Sequence, residues 1–347
     1  MKTISGNSIM VRQINREIIR DALKACEHAN IAELARMTGL SVATCANILP
    51  ELVESGEVLE LERQSQGGRP ARTFAYNPDC TLVAAILLRD ADGAAVARYS
   101  VRNTAGTVLA QGEETYDAVG LDCLDDLIAG LTARFAAIRA LAVSVPGVVH
   151  NGEIELCDIS ELIGLSLEKA LRDRHGLEVV VENDMNFAAA GFYRAHAGTL
   201  AAGVGYIVFP GDKCPGSGLV VNGRLLKGRS GFAGELSFIP FDGSRRDADG
   251  GRGSREQAVA AAARLVAAVI AVVNPDVVVL SGAAMEEGML PEIKAACLEA
   301  VPERHMPELV MRPDYEDDCF AGMAMMGHNR LLPEVQLVER AREWCGE

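Results

Sequence analysis

The stretch "DADGGRGSRE", residues 247–256, keeps the glycine rhythm and closing glutamate of a metal knuckle, C-x-C-G-x-x-G-C-x-E. Asp247, Asp249 and Ser254 stand where the three cysteines would be, so no thiolate is left to hold a soft metal. Gly250 and Gly253 still permit tight turns, and Asp247 and Asp249 suit the side-chain-to-backbone bonds that stabilise a loop. The frame has outlived the metal, and Glu256 stands at its end. The nine cysteines of the chain are scattered, without a C-x-x-C pair, which points to reduced thiols in a cytoplasm.

A chain of 347 residues with 49% hydrophobic and 23% charged residues is globular and long enough for two or three domains. No long apolar run predicts a membrane span, and the N-terminus lacks a signal-peptide core. The net charge of −15 is uneven. The first 79 residues are near neutral, with 9 Lys+Arg against 10 Asp+Glu, so the body carries almost all the negative charge. An acidic body repels phosphate backbones, which leaves the first eighty residues to meet nucleic acid.

Those residues read as a winged helix-turn-helix over 1–78. Ile14, Ile18, Ala22 and Leu23 set a helical spacing. Asn30, with Glu33 three residues on, predicts a capping box for a second helix. Gly39 supplies the turn and Ser41 caps a third helix. Leu34, Leu40, Ile48 and Leu52 form the predicted core, and Gly56 ends the third helix. "EVLELERQSQGGRPARTFAYNPD" reads as two strands around a Gly-rich tip, which presents Arg69 to a minor groove, with Arg63, Arg69 and Arg72 of the wing as phosphate-contact candidates. The third helix has no Lys or Arg from Ser41 to Glu54, so Ser41, Thr44 and Asn47 are its base-reading candidates, with methyl packing on thymine. Pro50 is expected to break or bend that helix. Arg12, Arg16, Arg20 and Lys24 form a stripe on the first helix, read equally as phosphate contacts or as a solvated face paired with Glu17 and Asp21.

Beyond Asn77-Pro78, strands alternate with helices in two similar cycles, which predicts an α/β body of two lobes around a cleft. The first lobe is expected over 79–190 and the second over 191–347, with the C-terminal helix returning to the first lobe. The segments "VSVPGVVHNGEI", "VENDMNFAAAG", "GLVVNGRLLKGRSGFAGELSF" and "NPDVVVLSGA", together with the 247–256 loop, resemble the ROK family (repressors, open reading frames, sugar kinases) in its regulator branch. The resemblance implies an actin-like (ribonuclease H-like) two-lobe sugar-kinase fold preceded by a winged helix-turn-helix domain. It implies a sugar and a nucleotide in the cleft, and a dimer or tetramer.

The resemblance also assigns the pocket. Asp184 matches the general base of the family kinases, and Asn183 beside it would hold neighbouring hydroxyls. Glu235 and Glu256 would accept sugar hydroxyls, and the 247–256 loop would serve to deliver Glu256. Phe238 stands where the family has a zinc-binding histidine; it can stack on a sugar face or an N-acyl group but ligates no metal. No zinc or other cofactor is therefore expected. The phosphate turns depart further: Ala91 and Ala95 replace an aspartate and a threonine beside Gly93, and Asp212 and Cys214 replace glycines.

These departures point to a transcriptional regulator, expected to be a repressor binding a double-stranded DNA operator, whose degenerate kinase body senses a sugar or sugar derivative without phosphorylating it. The alternatives are an active ATP-dependent sugar kinase with an appended DNA-binding domain, and a body that binds a protein partner through its acidic surface.

Overall fold

The computed structural model describes residues 5–61, 72–91, 94–210, 213–239 and 254–332. The chain divides between Thr81 and Leu82 into two compact units.

The first unit has helices α1 (Ser5–Lys24), α2 (Ile31–Thr38) and α3 (Val42–Glu54) and a small antiparallel sheet of β1 (Ala29–Asn30), β2 (Val58–Leu61) and β3 (Thr73–Tyr76). The capping box is present: Asn30 Oδ1 accepts from the Glu33 backbone N–H, and Glu33 returns a bond to Asn30 N at 2.8 Å. Gly39, at φ 71°, ends α2 in the left-handed conformation that glycine adopts without a Cβ penalty. Leu34, Ile48 and Leu52 are buried, and Leu40 packs at the edge of their cluster. Helix α3 runs through Pro50 without interruption. Pro50 has no N–H to give the Ala46 carbonyl, and Ala46 is an exposed residue, so the missing bond falls on the solvent side of the helix.

The arginine stripe departs from expectation. Arg12 pairs with Glu51 of α3, and Arg16 and Arg20 both reach Glu57, at 3.0 and 2.7 Å. Only Lys24 finds a partner on its own helix, Asp21 at 3.7 Å. The acids of α3 and of the approach to β2 take Arg12, Arg16 and Arg20 because α1 lies across them, so these arginines fasten α1, with Arg12 still largely exposed.

The second unit, Leu82–Leu331, holds two lobes. Lobe one contains β4 (Leu82–Ala91), β5 (Ala94–Asn103), β6 (Val108–Tyr116), α4 (Leu121–Arg134), β7 (Ile138–Val145), the hairpin β8 (Gly147–His150) and β9 (Glu153–Cys157), α5 (Leu167–His175), β10 (Glu178–Asn183) and α6 (Asp184–Ala195). Lobe two contains β11 (Gly203–Val208), β12 (Gly216–Val221), β13 (Arg224–Leu225), α7 (Arg255–Val272), β14 (Val277–Ser281), α8 (Leu290–Leu298), β15 (Glu308–Met311) and α9 (Glu316–Arg330). The sheets run β10-β7-β4-β5-β6 and β13-β12-β11-β14-β15. Each is an antiparallel meander of three strands whose first strand is joined in parallel by two more, so one topology is used twice. This is the actin-like arrangement.

Alternate residues of β4 face opposite ways. Ala84, Ile86 and Leu88 pack on α4 and α5, whereas Val83, Ala85 and Leu87 pack on α6 and α9. The far side of α6 and α9 meets Val204 and Tyr206 of β11. Helices α7 and α8 cover the outer face of the second sheet. Burial on both faces explains the near-continuous apolar runs of the central strands. The close crossing of α6 and α9 depends on two glycines. A Cβ on Gly191 would strike the Asp318 carbonyl, and one on Gly322 would strike that of Phe187.

Candidate functional site

The parallel strands of both sheets end at a cavity of about 780 Å³ within the second unit. Crevices at the carboxyl ends of such strands are where α/β sheets bind ligands. Asn183, Asp184, Glu235 and Phe238 all line it, so the structure brings together four of the five residues expected there.

Asp184 opens α6 and is 9% exposed. Burial pushes its carboxyl up to about 7, against the Met185 backbone N–H and the Arg89 guanidinium, which both favour the charged form. A carboxyl that changes protonation near neutrality is suited to accept a hydrogen bond, or a proton, from a hydroxyl.

Asn183 has a different task from the one expected. Its Oδ1 accepts from the N–H groups of Met185 and Asn186, at 2.8 and 3.2 Å, capping α6, and its Nδ2 donates to the Gly147 carbonyl at 2.9 Å. The amide is engaged in holding Asp184 and the β7–β8 turn in place, which leaves one N–H for a ligand. Phe238 is 39% exposed and meets Phe232 edge to face, with ring centroids 4.8 Å apart.

Glu256 is the residue the structure does not bring in. It is exposed on the first turn of α7 and does not line the cavity. The Ser254 hydroxyl holds its carboxyl below the usual range. Ser254, in the last cysteine position of the knuckle pattern, is the N-cap of α7, with its N–H bonded to Gln257 at 2.8 Å. Arg255 ties this end of the helix to Glu286 and Glu292, at 3.0 and 2.8 Å. Asp247, Asp249, Gly250 and Gly253 lie outside the described residues. The described residues at the two zinc positions do not fit a zinc ion: Phe238 has no donor atom, and Ser254 serves as the N-cap of a helix.

The charges at the turn before β12 were not legible in the sequence. Lys213 places Nζ 2.8 Å from Asp90 Oδ2 and 3.3 Å from Asp158 Oδ2. Burial disfavours its charge, but these two acids outweigh it and hold the ammonium above its ordinary value. Arg89 pairs with Glu316, which is buried and also takes Arg98. The cavity thus faces Asp90, Asp158, Asp184, Glu235, Asp314 and Glu316 against the cations Arg89 and Lys213. "DYED" at 314–317 was a signal of acid density, but only the return of α9 to the cleft gives it a place. Cys157, also in the wall, is pushed up to about 11 by burial and stays a thiol at neutral pH. Asp92, Gly93 and Asp212 lie outside the described residues.

The first unit carries its own candidate surface. Ser41 and Asn47 are exposed on α3, and Thr44 is half-buried. The Ser41 hydroxyl accepts from the Thr44 backbone N–H at 3.0 Å and lies 2.8 Å from the Thr44 hydroxyl. Arg72 pairs with Glu60 across β2 and β3 at 2.6 Å. Arg69, at the wing tip, lies outside the described residues.

Comparison with known proteins matches residues 83–255 to the ROK family and residues 12–56 to a winged helix-turn-helix DNA-binding family. The xylose repressor of Bacillus subtilis (strain 168) is 24% identical over 252 residues, covering 68% of this chain and 63% of that protein. The chain spans less than two thirds of the length of the curated relatives it matches. A solved ROK family transcriptional regulator, a homolog of the E. coli MLC protein, superposes with a TM-score of 0.67 at 20% identity over 92% of this chain and 96% of that one. A ROK family glucokinase from Streptomyces griseus, in complex with glucose and AMPPNP, gives 0.58 at 18% identity over 72% of this chain and 99% of that one. Likeness at these identities establishes the fold.

Proposed function

We propose, from the premise that this chain carries a ROK family domain behind an N-terminal winged helix-turn-helix domain, that it is a transcriptional repressor whose kinase-like body binds a sugar or sugar derivative without phosphorylating it. The observation that carries this reading is Lys213. Its ammonium sits between Asp90 and Asp158, at the turns that would receive a nucleotide's phosphates. The protein's own charges close that end of the cleft, and the surplus of acids repels a triphosphate. The sugar end keeps its hydroxyl acceptors. Asp184 and Glu235 take ligand hydroxyls, Asn183 fixes Asp184, and Phe238 offers an apolar face to the ring. Glu256 has no part in the site as folded. The xylose repressor among the relatives supports the assignment to sugar-controlled repression.

The reading requires the ligand to prefer one lobe arrangement by a few kcal/mol, and the DNA-binding units, acting in a cytoplasmic dimer or tetramer, to feel the change. Among the described residues no helix is long and apolar enough to cross a membrane. One observation favours the competing reading of an active sugar kinase: Asp184 titrates where a general base should. Fluorescence anisotropy of the full chain on a selected duplex tests the repressor reading. A panel of pentoses, hexoses and their N-acetyl derivatives should contain one that releases the DNA from the natural protein but not from Asp184→Ala. A panel in which no sugar shifts DNA binding or thermal stability contradicts it.

A further inference from the structure

Helix α3 has two sharply different faces. Cys45, Ile48, Leu49 and Leu52 are buried. On the opposite side Val42, Ala43, Ala46, Asn47 and Pro50, at i, i+1, i+4, i+5 and i+8, form one exposed stripe. Val42, on the first turn of the helix, is 57% exposed. The hydroxyls that would otherwise read bases are engaged: Ser41 caps the helix, and Thr44 lies against it. Among the described residues no hydrogen bond engages the Asn47 amide. Glu51 is held by Arg12, and Glu54 stands at the far end of the helix, away from the N-terminal turns that enter a groove.

We propose that α3 reads its operator through the C5-methyl groups of thymine, packed by Val42, Ala43 and Ala46, and through one adenine edge, bonded by Asn47, with no guanine contact from this helix. The reasoning is chemical. Guanine is read in the major groove chiefly by a bidentate Arg or Lys, and the helix has neither. A carboxamide matches the N6/N7 edge of adenine, and aliphatic carbon matches the thymine methyl. Both preferences select A·T pairs, one through each base. The inference rests on the reading of the first unit as a DNA-binding head.

The test uses the full chain. Duplexes are selected from a random library, then resynthesised with deoxyuridine for every thymidine, which removes the methyls and leaves every hydrogen-bonding edge intact. Kd is measured at one fixed salt concentration for the natural protein, Val42→Ser and Asn47→Ala, with melting temperature as the control for folding. The selected half-sites should be A·T-rich. Deoxyuridine should weaken binding about fourfold for each methyl in contact, and Val42→Ser should lose part of that discrimination without loss of melting temperature. Equal affinity for the two duplexes, a G·C-centred half-site, or a Val42→Ser protein altered only in self-association would overturn the inference. A library that yields no duplex bound above random DNA would overturn the DNA-binding reading itself, and this inference with it.

Discussion

The ammonium of Lys213, in the turn before β12, lies 2.8 Å from the carboxylate of Asp90 near the end of β4, joining the second lobe to the first. Asp158 shares it at 3.3 Å. Removing the lysine takes away the cation that two first-lobe carboxylates share. Both partners are partly exposed, so Lys213→Ala should cost about 1 kcal/mol in a denaturant titration. The loss should shrink as salt screens the acids. ATP affinity should not appear in the variant, because the acids that repel phosphate remain. A variant that gains ATP binding would show that the lysine alone had closed the site.

The raised carboxyl of Asp184 gives a pH signature with a definite sign. Its folded value is about 7 and its ordinary value 3.8. Between these values the folded protein holds a proton that the unfolded chain has lost. The stability it contributes is therefore complete below the lower value and disappears as pH rises through the upper one. Asp184→Asn, which keeps the neutral form, should gain on the natural protein across that window by at most about 4 kcal/mol. A ligand hydroxyl held by the ionised carboxylate should bind more tightly as pH rises through 7 and level off above it. Thermal melts from pH 4 to 8, with and without sugar, read both effects.

The crossing of α6 on α9 admits no side chain at Gly191 or Gly322. The obstructing atoms are backbone carbonyls, which cannot swing aside. Gly191→Ala and Gly322→Ala should each destabilise the body by about 3 kcal/mol or more, through overpacking. Chemical denaturation followed by a probe in the second unit should show this. A loss under 1 kcal/mol in either variant would mean that the helices sit further apart.

Glu57 gathers Arg16, Arg20 and the Ser55 hydroxyl within 3.0 Å. Glu57→Ala should loosen α1 and lower the stability of the first unit by about 2 kcal/mol. Because Arg16 is engaged there, Arg16→Ala should leave the slope of log Kd against log salt on DNA unchanged. A slope reduced by about one would make Arg16 a phosphate contact instead.

Local chemistry was readable from the chain at several places where neighbours in sequence decide it, though not at Pro50, which α3 accommodates. The Asn30–Glu33 capping box, the Gly39 turn and the strand that ends on Asn183, just before Asp184 opens α6, all depend on residues a few positions apart. The ties of the arginine stripe were not legible because its partners, Glu51 and Glu57, lie some forty residues away and only packing brings them near. Lys213 escaped notice for the same reason: nothing adjacent in sequence says that Asp90 and Asp158 converge on it. Glu256 fits its motif by spacing, yet motif spacing does not fix which way the first turn of α7 faces, and the tether from Arg255 to Glu286 and Glu292 does.

The most direct test of a cleft that holds sugar but does not phosphorylate it is a phosphoryl-transfer assay on the full chain. Protein at stoichiometric concentration is mixed with Mg²⁺, γ-labelled ATP and whichever sugar stabilises it in thermal melts, and labelled sugar phosphate is followed over hours. No transfer above the buffer blank is predicted, together with unchanged sugar affinity when ATP is present. Labelled product forming at the 1–100 s⁻¹ usual for kinases, or even one full turnover within minutes, would contradict the account.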